Sequence, residues 1–317
     1  MSEPDAVVLR DLRDRVLDQV GRVVVGQDEV AETILAALVV GGHVLLEGVP
    51  GVAKSLLAET VARTLAIEFA RVQFTPDMLP SDITGTMTLR AGELSFRPGP
   101  IFTNVLLADE INRTPPKTQA ALLEAMQERQ VSVEGVAHPL PEPFLVLATQ
   151  NPIDYEGTYP LPEAQLDRFV AKVQVGYPDE QQERAILSLG HRGLVPARLA
   201  EVEAVAGPEL LLRARAEVDA VAVSDPVRDY VVSLVRRTRE LPSVSLGASP
   251  RAAVHLLALA RATAALAGRT FVIPDDAAAV APAVLRHRIV MSPEAELEQY
   301  TSDDAVSAAI TEVPVPR

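Results

Sequence analysis

Cysteine is absent from the 317-residue chain, so no disulfide can staple the fold and its stability has to come from packed cores. At that length, and with 48% hydrophobic residues, the chain has material for two compact domains. Freedom from cysteine fits a reducing compartment. Long apolar runs are missing too: the longest, Ile34 to Gly42, falls far short of the roughly 20 residues that a bilayer-spanning helix needs. Met1-Ser-Glu-Pro-Asp5 is acidic where a secretory leader is basic and then apolar. These features predict a cytoplasmic protein with no membrane span. Basic charge is in deficit, with 29 Lys and Arg against 43 Asp and Glu and a net charge of −14. Such a field repels nucleic-acid phosphates and points to proteins as partners. The histidines at 43, 138, 191, 255 and 287 lack the paired spacing of a zinc site.

What is present is a regular alternation of elements. Leu9, Leu12, Val16 and Val20 recur at helical spacing, and Val30, Ile34 and Leu38 do so again after Val25-Gly26-Gln27. A short apolar run from Val44 reads as a strand, Leu57, Val61 and Leu65 as a helix, and Phe69 to Phe74 as a second strand. Two short alternating stretches flank Ala91-Gly92 and predict a hairpin inserted into this pattern. Further strands are expected at Val105 to Ala108, Phe144 to Ala148 and Ala171 to Val175, with a helix carrying Leu122, Leu123 and Met126 between the first two. Strand and helix in alternation imply a parallel sheet covered on both faces, with ligands at the carboxyl ends of its strands. After Tyr177-Pro178-Asp179 the pattern becomes helical only, with Val227, Val231 and Leu234, then Val254, Leu257 and Ala258, then Val280 and Val284. The expected division is therefore an α/β core over 1–177, with its first helices in 6–40, and a helical domain over 178–317 whose last residues fray.

Chemistry enters at residues 48–56. Gly48, Val49, Pro50, Gly51, Val52 and Ala53 form a loop between a strand and a helix that opens with Lys54, Ser55 and Leu56. Backbone N–H groups of such a loop, with the positive end of the helix, converge on a polyanion. Lys54 is placed to reach β- and γ-phosphates and Ser55 to ligate Mg²⁺. Read alone, the segment is also compatible with an ordinary strand-turn-helix corner. Ala53 stands where the G-x-x-x-x-G-K-S spacing has its second glycine, and a positive φ there would cost on the order of 1 kcal/mol. Val105-Leu-Leu-Ala delivers Asp109 and Glu110 side by side at a strand end, where strand geometry points them apart. That separation suits Asp109 to the Mg²⁺ shell and Glu110 to activating a water. Asn151 ends a neighbouring strand and could hydrogen-bond the water or γ-phosphate, the other reading being an Asn-Pro turn. Arg236, Arg237 and Arg239 read as the wet face of an amphipathic helix.

Over nearly its whole length the chain resembles the AAA+ ATPases, and among them the MoxR family. Gly48–Ser55 resembles the family's Walker A, Leu106-Leu-Ala-Asp-Glu-Ile-Asn-Arg113 its Walker B and Ala148-Thr-Gln-Asn-Pro152 its sensor 1. Val25-Gly-Gln27, Leu161-Pro-Glu-Ala-Gln-Leu-Asp-Arg-Phe169 and Gly247-Ala-Ser-Pro-Arg-Ala252 are further matches. The resemblance implies a P-loop α/β core with a helix-2 insert, which is the hairpin at Ala91-Gly92, and an all-helical lid. It implies homo-oligomeric rings, usually hexamers, with ATP held between subunits. Gly26 and Gln27 would lie beside adenine, Arg251 would be the lid's sensor 2, and Arg168 the arginine finger given to a neighbour's ATP. An arginine supplied across an interface contributes about 10³ to 10⁵ in rate. Arg113 is the rival for that role, and a surface salt bridge to Asp167 or Glu163 is the other reading of Arg168. Arg251 is also readable as a first-turn surface residue. The family's implied task is chaperone-like maturation of client proteins, often with a partner carrying a von Willebrand factor type A domain. A DNA-acting ATPase and a nucleotide-binding switch without turnover are the two alternatives.

Overall fold

The computed structural model describes residues 6–90, 93–151, 157–189, 191–192 and 195–316. Two helices open it, α1 (Ala6–Gly21) and α2 (Asp28–Val40), and β1 (Val44–Glu47), α3 (Lys54–Thr64) and β2 (Phe69–Gln73) follow. Next come α4 (Pro80–Thr84), β3 (Gly85–Arg90), β4 (Glu93–Pro98), β5 (Val105–Asp109) and α5 (Pro116–Glu128). The set continues with β6 (Gln130–Val133), β7 (Val136–Pro139), β8 (Leu145–Gln150), α6 (Glu163–Leu166), β9 (Ala171–Gln174) and α7 (Glu180–Ser188). Two-residue strands β10 (His191–Arg192) and β11 (Val195–Pro196) precede α8 (Pro208–Ala220), α9 (Asp225–Arg237) and β12 (Val244–Leu246). The chain finishes with α10 (Pro250–Leu266), α11 (Pro274–Leu285), β13 (Val290–Met291), α12 (Pro293–Leu297) and α13 (Ser302–Glu312).

Two compact units interleave along the chain. One comprises 12–161 and 173–212; the other takes in 162–172, 213–317 and the first eleven residues. In the first unit a five-stranded sheet runs β2-β5-β8-β1-β9. β1 pairs with β8, β8 with β5 and β5 with β2, all in parallel. Every residue of β5 is buried, and so are the first five of β8, which explains why these strands read as continuous apolar runs: both faces are covered. His43 is buried at the amino end of β1, where Nδ1 accepts from the Val146 N–H and Nε2 meets the Met126 carbonyl, so its ring joins β8 to α5. The predicted insert is the β3–β4 hairpin, in register from Gly85↔Pro98 to Arg90↔Glu93, while its Ala91-Gly92 turn lies outside the described residues. A second hairpin, β6–β7, breaks the chain between α5 and β8, where no strand was expected.

The second unit is helical with one small antiparallel pair, β12–β13. On α9 the buried stripe is Val227, Tyr230, Val231, Leu234 and Val235, the spacing of a single helix face, and Arg236 lies exposed beside it. The stripe of α10 is out of phase with the expected one. Ala252, Leu256, Leu259 and Ala260 are buried, while Val254 is 67% exposed. An alanine-rich helix offers two nearly equal apolar faces, and packing against α11, not hydropathy, selects between them. Proline in the first turn of α9, α10 and α11 starts each helix where the missing N–H costs nothing. Beyond Pro293, α13 continues to Glu312, seating Ala305, Val306 and Ala309 in the core.

Two histidines in this unit are held neutral. Burial, then the positive charge of Arg288, pulls His255 from its ordinary 6.5 down to about 4, with Asp167 opposing. Burial, then Arg288, pushes His287 well below 6.5. A histidine depressed in the folded state contributes stability that is complete above pH 6.5 and is lost as pH falls toward 4, because the unfolded chain takes up the proton first. Thermal midpoints are expected to drop through that window, with a shallower drop in His255→Gln. Identical slopes for the two proteins would rule out His255 as a source of that loss.

Candidate nucleotide site

β1 ends at Glu47 and α3 begins at Lys54, and the loop between them is built on two left-handed residues. Gly51 has φ 86°, and Ala53 has φ 61° and ψ 21° as the N-cap residue of α3. The alanine therefore does occupy the conformation that its side chain disfavours. Gly48 is needed for a different reason: a Cβ there would run into the Val175 carbonyl. Lys54 lies across the loop with Nζ donating to the Gly48 carbonyl at 2.5 Å. Burial draws its pKa below the ordinary 10.5, against the opposing pull of Asp109, Glu110 and Glu47.

A cavity of about 470 Å³ opens over this loop and brings together Gly51, Lys54, Ser55, Asp109, Glu110 and Asn151. Pro50, Ala53 and Leu56 line it as well. Val49 is half-buried in the loop and Val52 is buried. Parallel pairing accounts for the convergence, since β1, β5 and β8 all end on the same edge of the sheet. Asp109 is 9% exposed and held on both oxygens. Thr149 Oγ1 donates to Oδ1 at 2.6 Å, and Arg71 donates to Oδ2 through Nη2 at 2.6 Å and Nε at 3.1 Å.

The sequence predicts that strand alternation points Glu110 away from Asp109, but Glu110 is not part of the strand. β5 stops at Asp109, and Glu110 turns into the left-handed region at φ 58° and ψ 52° to start a short 3₁₀ turn, Ile111–Arg113. Its N–H donates to Thr149 Oγ1 at 2.8 Å, which pins the turn to β8. Its carboxylate accepts from Gln73 Nε2 at 2.7 Å and pairs with Arg113 at 3.0 Å. Arg113 thus engages Glu110 of its own chain. Arg71 and Gln73 went unnoticed in the sequence, and so did Thr149. Their signal was available: two polar residues two apart on β2 share one face, and Thr149 is two before Asn151.

A second cavity, about 250 Å³, is lined by Val23, Val24, Val25, Gln27, Val52 and Ile186. It shares Gly51, Ala53 and Leu56 with the first, so an apolar slot adjoins the polar cradle across one loop. Gly26 lies beside it at φ 76°, and a Cβ there would collide with the Gln182 side chain. Gln27 is buried. Arg168 and Arg251 belong to the helical unit. Arg251 is exposed, with Nε 4.0 Å from Asp167 Oδ2. Among the described residues, neither Asp167 nor Glu163 forms an ion pair with Arg168; Asp167 pairs with Arg288 instead. Pro152, at the end of the Ala148–Pro152 match, lies outside the described residues.

The polar cavity fits a nucleotide's phosphates with one divalent cation. No cluster of three or more His, Cys, Asp or Glu among the described residues forms a metal cage. A Mg²⁺ there would have Ser55 and Asp109 as protein ligands and take the rest from phosphate and water, its usual arrangement.

The sheet, the phosphate loop and the acidic strand end define an AAA-type nucleotide-binding protein. The ATPase family associated with various cellular activities (AAA) matches residues 43–171, and the AAA lid domain matches 236–309. Chaperone MoxR1 of Mycobacterium tuberculosis is 45% identical over 315 residues, covering 96% of this chain and 82% of its own. Protein MoxR of Methylorubrum extorquens is 34% identical, with 99% and 98% covered. The crystal structure of a protein from Cytophaga hutchinsonii, provisionally described as an ATPase, superposes with a TM-score of 0.91 at 40% identity over 98% of this chain and 97% of its own. The chain belongs to the MoxR family of AAA+ ATPases. No helix among the described residues is long and apolar enough to cross a membrane.

Ala53 gives this site its own test. A non-glycine residue in the left-handed region costs about 1–2 kcal/mol, and glycine's extra freedom in the unfolded chain takes back about 0.4–1 kcal/mol. Ala53→Gly is therefore expected to stabilise the protein by up to about 1.6 kcal/mol in denaturant titration. A destabilised variant would mean that the alanine methyl makes packing contacts worth more than the strain.

Proposed function

We propose that this protein hydrolyses ATP with Mg²⁺ and uses the cycle to remodel or mature client proteins. The observation that carries the reading is the single cavity in which the loop residues Lys54 and Ser55 face Asp109, Glu110 and Asn151. Lys54 and the loop N–H groups neutralise phosphate charge, and Gly26 and Gln27 flank the adenine. Ser55 and Asp109 hold the metal, which when bound screens the negative charge on the phosphates. Glu110 orients and deprotonates the attacking water, with Asn151 as a second hydrogen-bond partner for water or γ-phosphate. Arg251 reports nucleotide state to the lid, and Arg168 acts on the site of a neighbouring subunit in a ring, taken as a hexamer. Residues 1–177 then serve as the nucleotide-binding core and 178–317 as the lid.

What supports Arg168 over Arg113 as the trans-acting residue is that Arg113 pairs with Glu110 of its own chain. The name of the relative Chaperone MoxR1 supports protein clients. A partner with a von Willebrand factor type A domain, a cytoplasmic location and the absence of nucleic-acid binding complete the proposal. The net charge of −14 weighs against a DNA-acting role. The polar contacts that place Glu110 weigh against a switch without turnover.

In Glu110→Gln, ATP binding is expected to persist while turnover falls at least about 100-fold, the scale of lost general-base catalysis. Unchanged turnover would remove Glu110 from that role. For Arg168→Ala, pure assemblies are expected to lose about 10³-fold in rate. Activity should return on mixing with Lys54→Ala subunits, which carry an intact Arg168. Full activity in the pure variant would overturn the trans-arginine reading.

A further inference from the structure

Arg288 is a charged side chain with 2% of its surface exposed. Burying a guanidinium is costly unless its donors are matched, so the acceptors show what the charge is there to hold. Nε donates to Asp167 Oδ1 at 2.7 Å. Nη2 donates to the Asp167 carbonyl at 3.2 Å and to the Phe169 carbonyl at 2.5 Å. It also meets His255 Nδ1 at 2.6 Å, and because arginine only donates, this nitrogen carries the lone pair. Nη1 donates to the Val284 carbonyl at the end of α11. His287, one residue earlier in the chain, adds a second grip on the Phe169 carbonyl through Nε2 at 3.2 Å.

These acceptors bracket one residue. Asp167 and Phe169 are gripped by backbone, by carboxylate and by the fully buried Phe169 ring, and between them sits Arg168, half-exposed. Asp167 is held from its other side by Ser249 Oγ at 3.0 Å. The turn at 167–169 is thus bolted to the start of α10 and the end of α11, although it lies more than 80 residues earlier in the chain.

We propose that Arg288 is the positioning residue for Arg168. The proposal rests on the reading of Arg168 as the arginine donated to a neighbouring subunit. An arginine that stabilises developing charge acts only when its guanidinium is placed to within about 1 Å, and a misplacement of that size costs about 100-fold. A side chain as long as arginine inherits any tilt of its own backbone. Arg288 limits that tilt by holding the carbonyls of the residues before and after Arg168, in the 167–168 and 169–170 peptide groups. Lysine cannot replace it, because one ammonium on a flexible stem cannot match acceptors spread over a carboxylate, three carbonyls and an imidazole.

The test is Arg288→Lys in the full chain, with steady-state turnover and affinity for a fluorescent ATP analogue measured together. Turnover is expected to fall about 10- to 100-fold while nucleotide affinity stays within about twofold, because the defect lies in a neighbour's transition state and not in binding. Mixing with Lys54→Ala subunits, which carry intact Arg168 and Arg288, is expected to restore turnover at the Arg288→Lys subunit's own site. Arg168→Ala combined with Arg288→Lys is expected to be no slower than Arg168→Ala alone. Asp167→Asn, which keeps the carbonyl bonds of Arg288, serves if Arg288→Lys does not fold and is expected to show the same pattern more weakly. Three outcomes overturn the proposal: turnover within twofold of the parent protein, a deficit that mixing does not relieve, or affinity falling in step with turnover. Full activity of Arg168→Ala is a separate result that removes the reading beneath it.

Discussion

The carboxylate of Asp109 is held on both oxygens by the strands on either side of it, Arg71 from β2 and Thr149 from β8. One side chain thus ties three adjacent strands together at their carboxyl ends, where parallel pairing has already aligned them. Most of the polar cavity follows from that tie. Thr149 fixes the acid with its hydrogen and accepts the Glu110 N–H with a lone pair, so both acidic residues are referenced to one hydroxyl. Gln73, paired in register with Asp109, reaches the Glu110 carboxylate from the same strand that supplies Arg71. The two carboxylates are so close in sequence that only this division of partners keeps their environments distinct.

Two non-glycine residues with left-handed backbone, Ala53 and Glu110, line this cavity. Each persists because its surroundings over-determine it. Ala53 closes a loop whose next residue begins α3, and its carbonyl accepts the Leu57 N–H as the helix starts. Glu110 is fastened through its N–H, its carbonyl and its carboxylate. Both strained residues lie where a polyanion would meet backbone donors.

Much of this could be read in the residues. The continuous apolar runs of β5 and β8 declare strands covered on both faces, and the glycine loop followed by Lys-Ser declares the cradle. The β3–β4 hairpin showed in its alternation. Periodicity failed on α10, where alanine is so frequent that hydropathy cannot choose between faces and Val254 is left in solvent. It also failed at β6–β7, whose strands are only four residues each and largely exposed, leaving little alternation to detect. The spacing of Arg71 and Gln73 marks a polar face of β2, but the carboxylate that Arg71 binds lies 38 residues away in the chain, and no local pattern names it.

The buried cluster around Arg288 shows the same limit in sharper form. Nothing in its local sequence, Leu285-Arg-His-Arg-Ile289, separates the arginine that is buried from the one two residues before it, which pairs with Asp303 at a more accessible position. By itself the sequence determined which residues meet at the cavity and which strands and helices deliver them, because apolar periodicity and loop composition are local properties of a chain. The tertiary structure decided the conformation of Ala53 and Glu110, the partners of Asp109 and the anchoring of the Arg168 turn. Those depend on distances between residues far apart in the chain, and only packing brings them into range.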